Sequence, residues 1–317
     1  MKDRMDVEGV TRYERPKIGA IAPWFGGKRT MAPLIVAELG PHRAYWEPFC
    51  GSMAVLFAKP PCPMETVNDL HGDLVNLAMV VASPRWEELY ERLRRTFIAE
   101  PLFDGAKAAL ASNPPTPPAN PEGVTDVHLG RAWQYWVVSW MGRNGMAGCR
   151  ITDQGISVRY TTGGGSSGGR IRNAVESLPV LHERLRGVVI LRRDGIETLA
   201  KIADEPKVAI YVDPPYFQET RGTGRKNGNA GGSHYLFDFK ADDHERLAET
   251  LARFRRARVV VSYYDDERLG RLYCGWTKRA VHRQKNLHAA NRRGEGDCTA
   301  PEMLLINGPS CREAEDA

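Results

Sequence analysis

Short runs rich in β-branched, aromatic and aliphatic residues recur along this chain, at 44–46, 65–67, 188–191, 208–212, 259–261 and 303–306. Runs of this length with apolar residues at successive positions suit strands covered on both faces, as in a parallel sheet. Segments of helical periodicity lie between them. Leu247, Leu251 and Phe254 recur at helical spacing within 243–257, and Asp242 with Glu245 three residues on reads as a capping box. Strands alternating with helices predict an open α/β sheet, in which ligands bind beyond the carboxyl ends of the strands.

The middle of the chain breaks that rhythm. A helix is predicted over 86–97, a Pro-rich passage covers 113–121, and a second helix is predicted over 129–141. This reads as an inserted domain. Trp133, Trp136, Val137 and Trp140 share one face of the second helix, a pattern expected of a core stripe rather than a base-stacking platform.

With 317 residues, 42% of them apolar, the chain has material for a sizeable core and a subordinate lobe. No run of about 18 apolar residues exists and the first ten residues are charged, so neither a membrane span nor a secretory signal is expected, and a cytoplasmic location follows. Six scattered cysteines lack the paired spacing of a zinc site and read as free thiols. A net charge of +5 permits a nucleic-acid partner without establishing one. More telling is that Arg143, Arg150, Arg159, Arg170 and Arg172 fall close together with Asp153 the lone acid among them, a stretch able to follow a phosphate backbone. Two glycine-rich segments, 161–170 and 221–233, also carry arginine and read either as plain loops or as segments that order on DNA.

Three local signals carry chemistry. Asp213-Pro214-Pro215-Tyr216 follows the apolar run 208–212, placing a carboxylate and an aromatic ring at a strand's carboxyl end. Two prolines fix the turn and remove donors, so the Pro214 carbonyl and the Asp213 carboxylate converge as two acceptors. An amino group conjugated to a ring offers two N–H donors, and two acceptors drawing on them make the nitrogen more nucleophilic. The second signal is Glu47-Pro48-Phe49-Cys50-Gly51-Ser52 ahead of an apolar helical run, with Asp69 following Gly51 at about the spacing that brings an acid to ribose hydroxyls. The third is Trp24-Phe25-Gly26-Gly27-Lys28, offering an aromatic face and a cation. Taken singly, these also read as a strand-ending proline turn, a strand-to-helix turn and a surface turn.

Taken together the chain resembles the Dam-like, D12 class of adenine-specific DNA N6-methyltransferases. The motifs PWFGGK (23–28), EPFCGS (47–52), VNDL (67–70), SWMGRNGMAGCR (139–150), YVDPPY (211–216), VVVSYYDD (259–266) and APEMLLIN (300–307) stand in that family's order. The resemblance implies an α/β, Rossmann-like sheet of the AdoMet-dependent methyltransferase kind with a largely helical target-recognition domain inserted. On this reading 17–85 and 176–308 form the catalytic domain, 86–175 the recognition domain, and 1–16 and 309–317 are tails. It implies S-adenosylmethionine as cofactor, double-stranded DNA as partner, a flipped adenine as substrate, no metal, and a monomer. Asp213, Pro214, Pro215 and Tyr216 match the catalytic motif. Trp24, Lys28, Glu47, Phe49, Gly51, Asp69 and Asp213 fall to the cofactor, and Arg143, Asn144, Met146, Arg150 and Arg170 to DNA. Two departures stand out: Met53 occupies a position where the family often has a second glycine, and Met146-Ala147 replace the aromatic and asparagine usual in members that read GATC. The rival readings are an N4-cytosine methyltransferase and a DNA-binding relative without catalysis.

Overall fold

The computed structural model describes residues 19–24, 26–112, 128–143, 155–158, 166–217, 239–284 and 299–311. Seven strands form one sheet: β1 (Ala44–Glu47), β2 (Met64–Asn68), β3 (Val188–Leu191), β4 (Val208–Val212), β5 (Arg258–Tyr264), β6 (Thr277–Gln284) and β7 (Thr299–Ile306). Their order is β3-β2-β1-β4-β5-β7-β6, with β1 to β5 parallel and β7 antiparallel to both its neighbours. The helices among the described residues are α1 (Ala32–Leu39), α2 (Ala54–Ala58), α3 (Gly72–Ala82), α4 (Trp86–Arg94), α5 (Glu100–Ser112), α6 (Leu129–Met141), α7 (Ser167–Glu176), α8 (Leu178–Leu185), α9 (Gly195–Ala200), α10 (Ala241–Ala252) and α11 (Arg268–Leu272). This is a Rossmann-like α/β fold. The strand order reverses between β1 and β4, and such a switch point opens a crevice at the carboxyl ends of the strands.

Strand β4 shows why the parallel strands read as unbroken apolar runs. Ala209 and Tyr211 pack into the core on one face, while Val208, Ile210 and Val212 pack into the core on the other. Burial on both faces leaves no polar alternation to read. Strand β6 escaped the sequence reading because Thr-Lys-Arg-Ala-Val-His-Arg-Gln has neither an apolar run nor a clean alternation. It is an edge strand, where basic residues discourage further pairing. Glu38, fully buried on α1, ties this side together by accepting from Arg279 (2.6 Å), from Ser310 (2.8 Å) and from the Cys311 amide (3.0 Å).

The helical segment between β2 and β3 joins the same core as α3. Trp136, Val137 and Trp140 are buried, as the core reading of the stripe expects, and Trp133 donates through Nε1 to Thr96 (2.9 Å). Arg131 on α6 and the buried Asp73 on α3 form a two-pronged ion pair that pins the two helices. Strands β5 and β7 run longer than predicted and α10 ends at Ala252 rather than 257, and two further helix boundaries differ for local reasons. Helix α4 stops at Arg94, because the β-branched and aromatic residues Thr96, Phe97 and Ile98 are poor helix formers and Thr96 Oγ1 turns back onto the Arg92 carbonyl (2.8 Å). Helix α10 begins at Ala241, two residues before the predicted start. The acid that caps it is Asp243, which accepts from the Lys240 amide (2.9 Å), rather than the predicted Asp242 and Glu245. Among the described cysteines Cys50, Cys62, Cys274 and Cys311 are free thiols.

Candidate active site

A cavity of about 380 Å³ opens at the carboxyl ends of the parallel strands, and its walls are the loops that follow β1, β2, β3 and β4 together with the turn ahead of α1. Trp24, Lys28, Glu47, Phe49, Gly51, Asp69, Asp213, Pro214, Pro215 and Tyr216 all line it. The three local signals of the sequence therefore meet in one place.

The loop after β1 is shaped by backbone geometry. Gly51 has φ +43°, and a Cβ there would lie 2.9 Å from Trp24 Nε1, so both conformation and space demand glycine. The Gly51 amide donates to Asp69 Oδ2 (2.9 Å) and the His71 amide to Asp69 Oδ1 (2.9 Å), which fixes the acid at the end of β2 between two loops. Met53 adopts the left-handed conformation that glycine favours (φ 59°, ψ 28°) and caps the start of α2. Its side chain is fully buried, so packing holds a backbone state that a non-glycine residue avoids when free. On the far side Gly195, the first residue of α9, lies under the Phe49 ring, and a Cβ there would come within 2.4 Å of it.

Asp213 is the most heavily tied group. Its Oδ1 takes the Lys28 ammonium (3.0 Å), the Tyr216 hydroxyl (3.0 Å) and the Ser262 hydroxyl (2.8 Å). Among the described residues Oδ2 accepts no hydrogen bond. Lys28 also donates to the Gly26 carbonyl (2.8 Å) and lies 4.9 Å from the centre of the Tyr216 ring. Burial works against the Lys28 charge, but the Asp213 and Glu302 carboxylates outweigh it and hold the ammonium above its ordinary pKa. Tyr216 is buried, edge-on to Tyr264 at 4.8 Å, and burial with the nearby Asp213 charge pushes its hydroxyl well above 10, so it stays a donor.

Two other acids are raised. Burial pushes Glu47 up to about 8, against the opposing hydrogen bond from the Tyr45 hydroxyl (2.8 Å). Burial also raises Asp69, outweighing the two amides it accepts from, and it lowers the adjoining His71 despite the Asp69 charge.

Of the predicted DNA-contacting residues, the two that are described, Arg143 and Arg170, do not line the cavity. Arg143 is exposed just past the end of α6, its amide donating to the Gly155 carbonyl (3.0 Å). Arg170, on α7, turns inward and donates to the Trp140 carbonyl at the end of α6 (2.7 Å). Asn144, Met146 and Arg150 lie outside the described residues. His71, Asp194, Gly195, Tyr211, Phe239 and Tyr264 also line the cavity and were not singled out from the sequence. The motifs YVDPPY, which holds Tyr211, VNDL, which ends beside His71, and VVVSYYDD, which holds Ser262 and Tyr264, pointed near three of them.

Among the described residues no helix is long and apolar enough to cross a membrane, and no group of three or more His, Cys, Asp or Glu is placed to hold a metal. No curated protein matches the chain. Residues 24–108, which supply Trp24, Lys28, Glu47, Gly51 and Asp69 to the cavity, match the family model of the D12 class N6 adenine-specific DNA methyltransferase, a match that supports DNA methyltransferase activity.

Proposed function

We propose that the chain is a site-specific DNA methyltransferase that moves a methyl group from S-adenosylmethionine to N6 of an adenine flipped out of the duplex. The observation that carries this reading is Asp213, held by three donors on one oxygen at the rim of a strand-end cavity, with its second oxygen accepting nothing among the described residues. Oδ2 and the Pro214 carbonyl accept the two amino hydrogens of adenine and draw electron density onto N6. Tyr216, anchored through its hydroxyl, supplies the aromatic wall for the extruded base.

The cavity suits the cofactor in size and sign. Its volume of about 380 Å³ lies within the range of small-molecule sites. The carboxyl groups of Glu47, Asp69, Asp194, Asp213 and Asp243 line it against the cations Lys28 and Arg193, an excess of acids suited to a ligand with a sulfonium and an ammonium, whose charge also favours ionisation of Glu47. Asp69 takes the ribose hydroxyls, Trp24 and Phe49 give apolar faces, and the backbone at Gly51 allows close approach. Glu47 lies at the cationic end, and Lys28 directs its remaining N–H at the cofactor's carboxylate. When bound, the cofactor supplies an electrophilic methyl group on a sulfonium. The residues contribute alignment and exclusion of water, which is what a direct displacement most needs.

Residues 86–175 form the recognition domain inserted into a catalytic domain of 17–85 and 176–308. Double-stranded DNA is read by the segment after α6, which contains Asn144, Met146 and Arg150, with Arg143 at its root. Arg170 contributes by bracing the end of α6. The test is transfer of a labelled methyl group to unmethylated duplex DNA by wild type and by Asp213→Ala. The variant is expected to lose at least about 10²-fold in rate. Near-normal transfer by a folded Asp213→Ala protein defeats the reading.

A further inference from the structure

Ser262 is a hydroxyl in the wrong company. It follows Val259, Val260 and Val261 in β5, and it is fully buried. A hydroxyl moved from water into such a site is costly unless its hydrogen bonds are made. The register sets its height: Val212 of β4 pairs with Val261 of β5, so Ser262 stands level with Asp213, the next residue beyond β4. Its proton goes to Asp213 Oδ1 (2.8 Å), since a carboxylate only accepts. With that proton spent, the 2.9 Å contact with the Tyr211 hydroxyl has Tyr211 as donor. Tyr211 lies two residues before Asp213 and so on the same side of the sheet, and burial raises its hydroxyl well above 10, which keeps the proton in place.

We propose that Ser262 and Tyr211 are positioning residues: a buried relay, Tyr211 to Ser262 to Asp213, that occupies Oδ1 from within the sheet and so presents Oδ2 to the substrate amine. Lys28 and Tyr216 reach the same oxygen from the cavity side. The relay comes from the rigid strands instead, and it fixes the rotation of the carboxylate before any ligand arrives. Preorganised acceptors of this kind act on the rate rather than on ground-state affinity. The inference rests on Asp213 being the acceptor for the substrate amine.

The experiment compares Ser262→Ala, Ser262→Cys, Tyr211→Phe and the Ser262→Ala/Tyr211→Phe pair, with Asp213→Ala as reference. Readouts are single-turnover methyl transfer, S-adenosylmethionine affinity by calorimetry, and thermal melting. Loss of a hydrogen bond to a charged group predicts that Ser262→Ala slows transfer about ten- to a hundred-fold. Cofactor affinity should stay within about two-fold, because no cofactor contact is removed. Ser262→Cys, a weaker donor, should recover part of the rate. Tyr211 acts only through Ser262, so Tyr211→Phe should slow the wild type a few-fold but add nothing in the Ser262→Ala background. The double variant should also melt higher than Ser262→Ala alone, since it no longer buries an unpaired Tyr211 hydroxyl. Tyr211→Phe removes a single oxygen and keeps the test decisive if Ser262→Ala does not fold. Wild-type rates in Ser262→Ala or Tyr211→Phe, multiplicative losses in the pair, or losses confined to cofactor affinity overturn the relay while Asp213→Ala remains dead. Methylation by Asp213→Ala overturns the relay and the functional reading together.

Discussion

Replacing Glu47 with glutamine should flatten part of the protein's loss of stability as pH rises from about 4.5 to about 8. Glu47 ends β1 with its side chain buried, and burial lifts its pKa from the usual 4.5 to about 8. Because the folded value is the higher one, the unfolded chain gives up this proton first. The associated stability is complete below about pH 4.5 and is lost as pH rises through about 8. The separation of about 3.5 pH units, at about 1.36 kcal/mol each, sets a ceiling of about 5 kcal/mol. By pH 6 about 1.5 of those units have already been lost. The remaining two, about 2–3 kcal/mol, go between pH 6 and pH 9. Glu47→Gln keeps the shape and an acceptor for the Tyr45 hydroxyl but has no proton to lose. Urea unfolding of the ligand-free proteins at pH 6 and pH 9 is the assay. Wild type should lose about 2–3 kcal/mol more than the variant over that interval. Parallel losses in the two proteins would refute the raised carboxyl. Saturating S-adenosylmethionine should shrink the wild-type loss, since a cation beside Glu47 favours its ionised form.

Three further substitutions probe the supports of the cavity. Asp69→Ala removes the acceptor for the Gly51 and His71 amides and should weaken S-adenosylmethionine by roughly ten- to a hundred-fold; calorimetry giving unchanged affinity would place the cofactor elsewhere. Gly195→Ala sets a Cβ within 2.4 Å of the Phe49 ring and should cost about 1–3 kcal/mol, seen as a lower melting temperature; a wild-type melt would mean that the ring moves aside freely. Arg131→Ala strands the buried Asp73 charge between α3 and α6 and should cost about 3–5 kcal/mol in urea unfolding; a loss below about 1 kcal/mol would show that Asp73 finds another partner or a proton.

How far the sequence could be read follows from what each element needs to form. Strand β4 was legible because burial on both faces requires five apolar residues in a row, and Asp213-Pro214-Pro215-Tyr216 marks its end without ambiguity. Strand β6 was not, because an edge strand is defined by its pairing with β7 and can be built from almost any residues. Helix α6 carries an amphipathic stripe and was placed residue for residue, whereas α5, rich in alanine with a glycine and a proline, carries a weaker signal. The cavity residues were legible as three motifs because strand-end loops need glycine, proline and acids at fixed offsets. Their pairings were not: that Lys28 meets Asp213, or that Ser262 and Tyr211 lie behind it, depends on strand order and register. Met53 is the sharpest case: the sequence marks it as a departure from the family's pattern, but its left-handed backbone is held by burial of the side chain and cannot be read from the residue type.

The most direct measurement is mass spectrometry of nucleosides from unmethylated duplex DNA treated with the purified protein and S-adenosylmethionine. Asp213 and Pro214 at the cavity rim predict N6-methyladenine, formed by wild type and absent with Asp213→Ala. N4-methylcytosine would mean that the cavity accepts a different base. Unmodified DNA from a protein that binds both ligands would contradict the account at its centre.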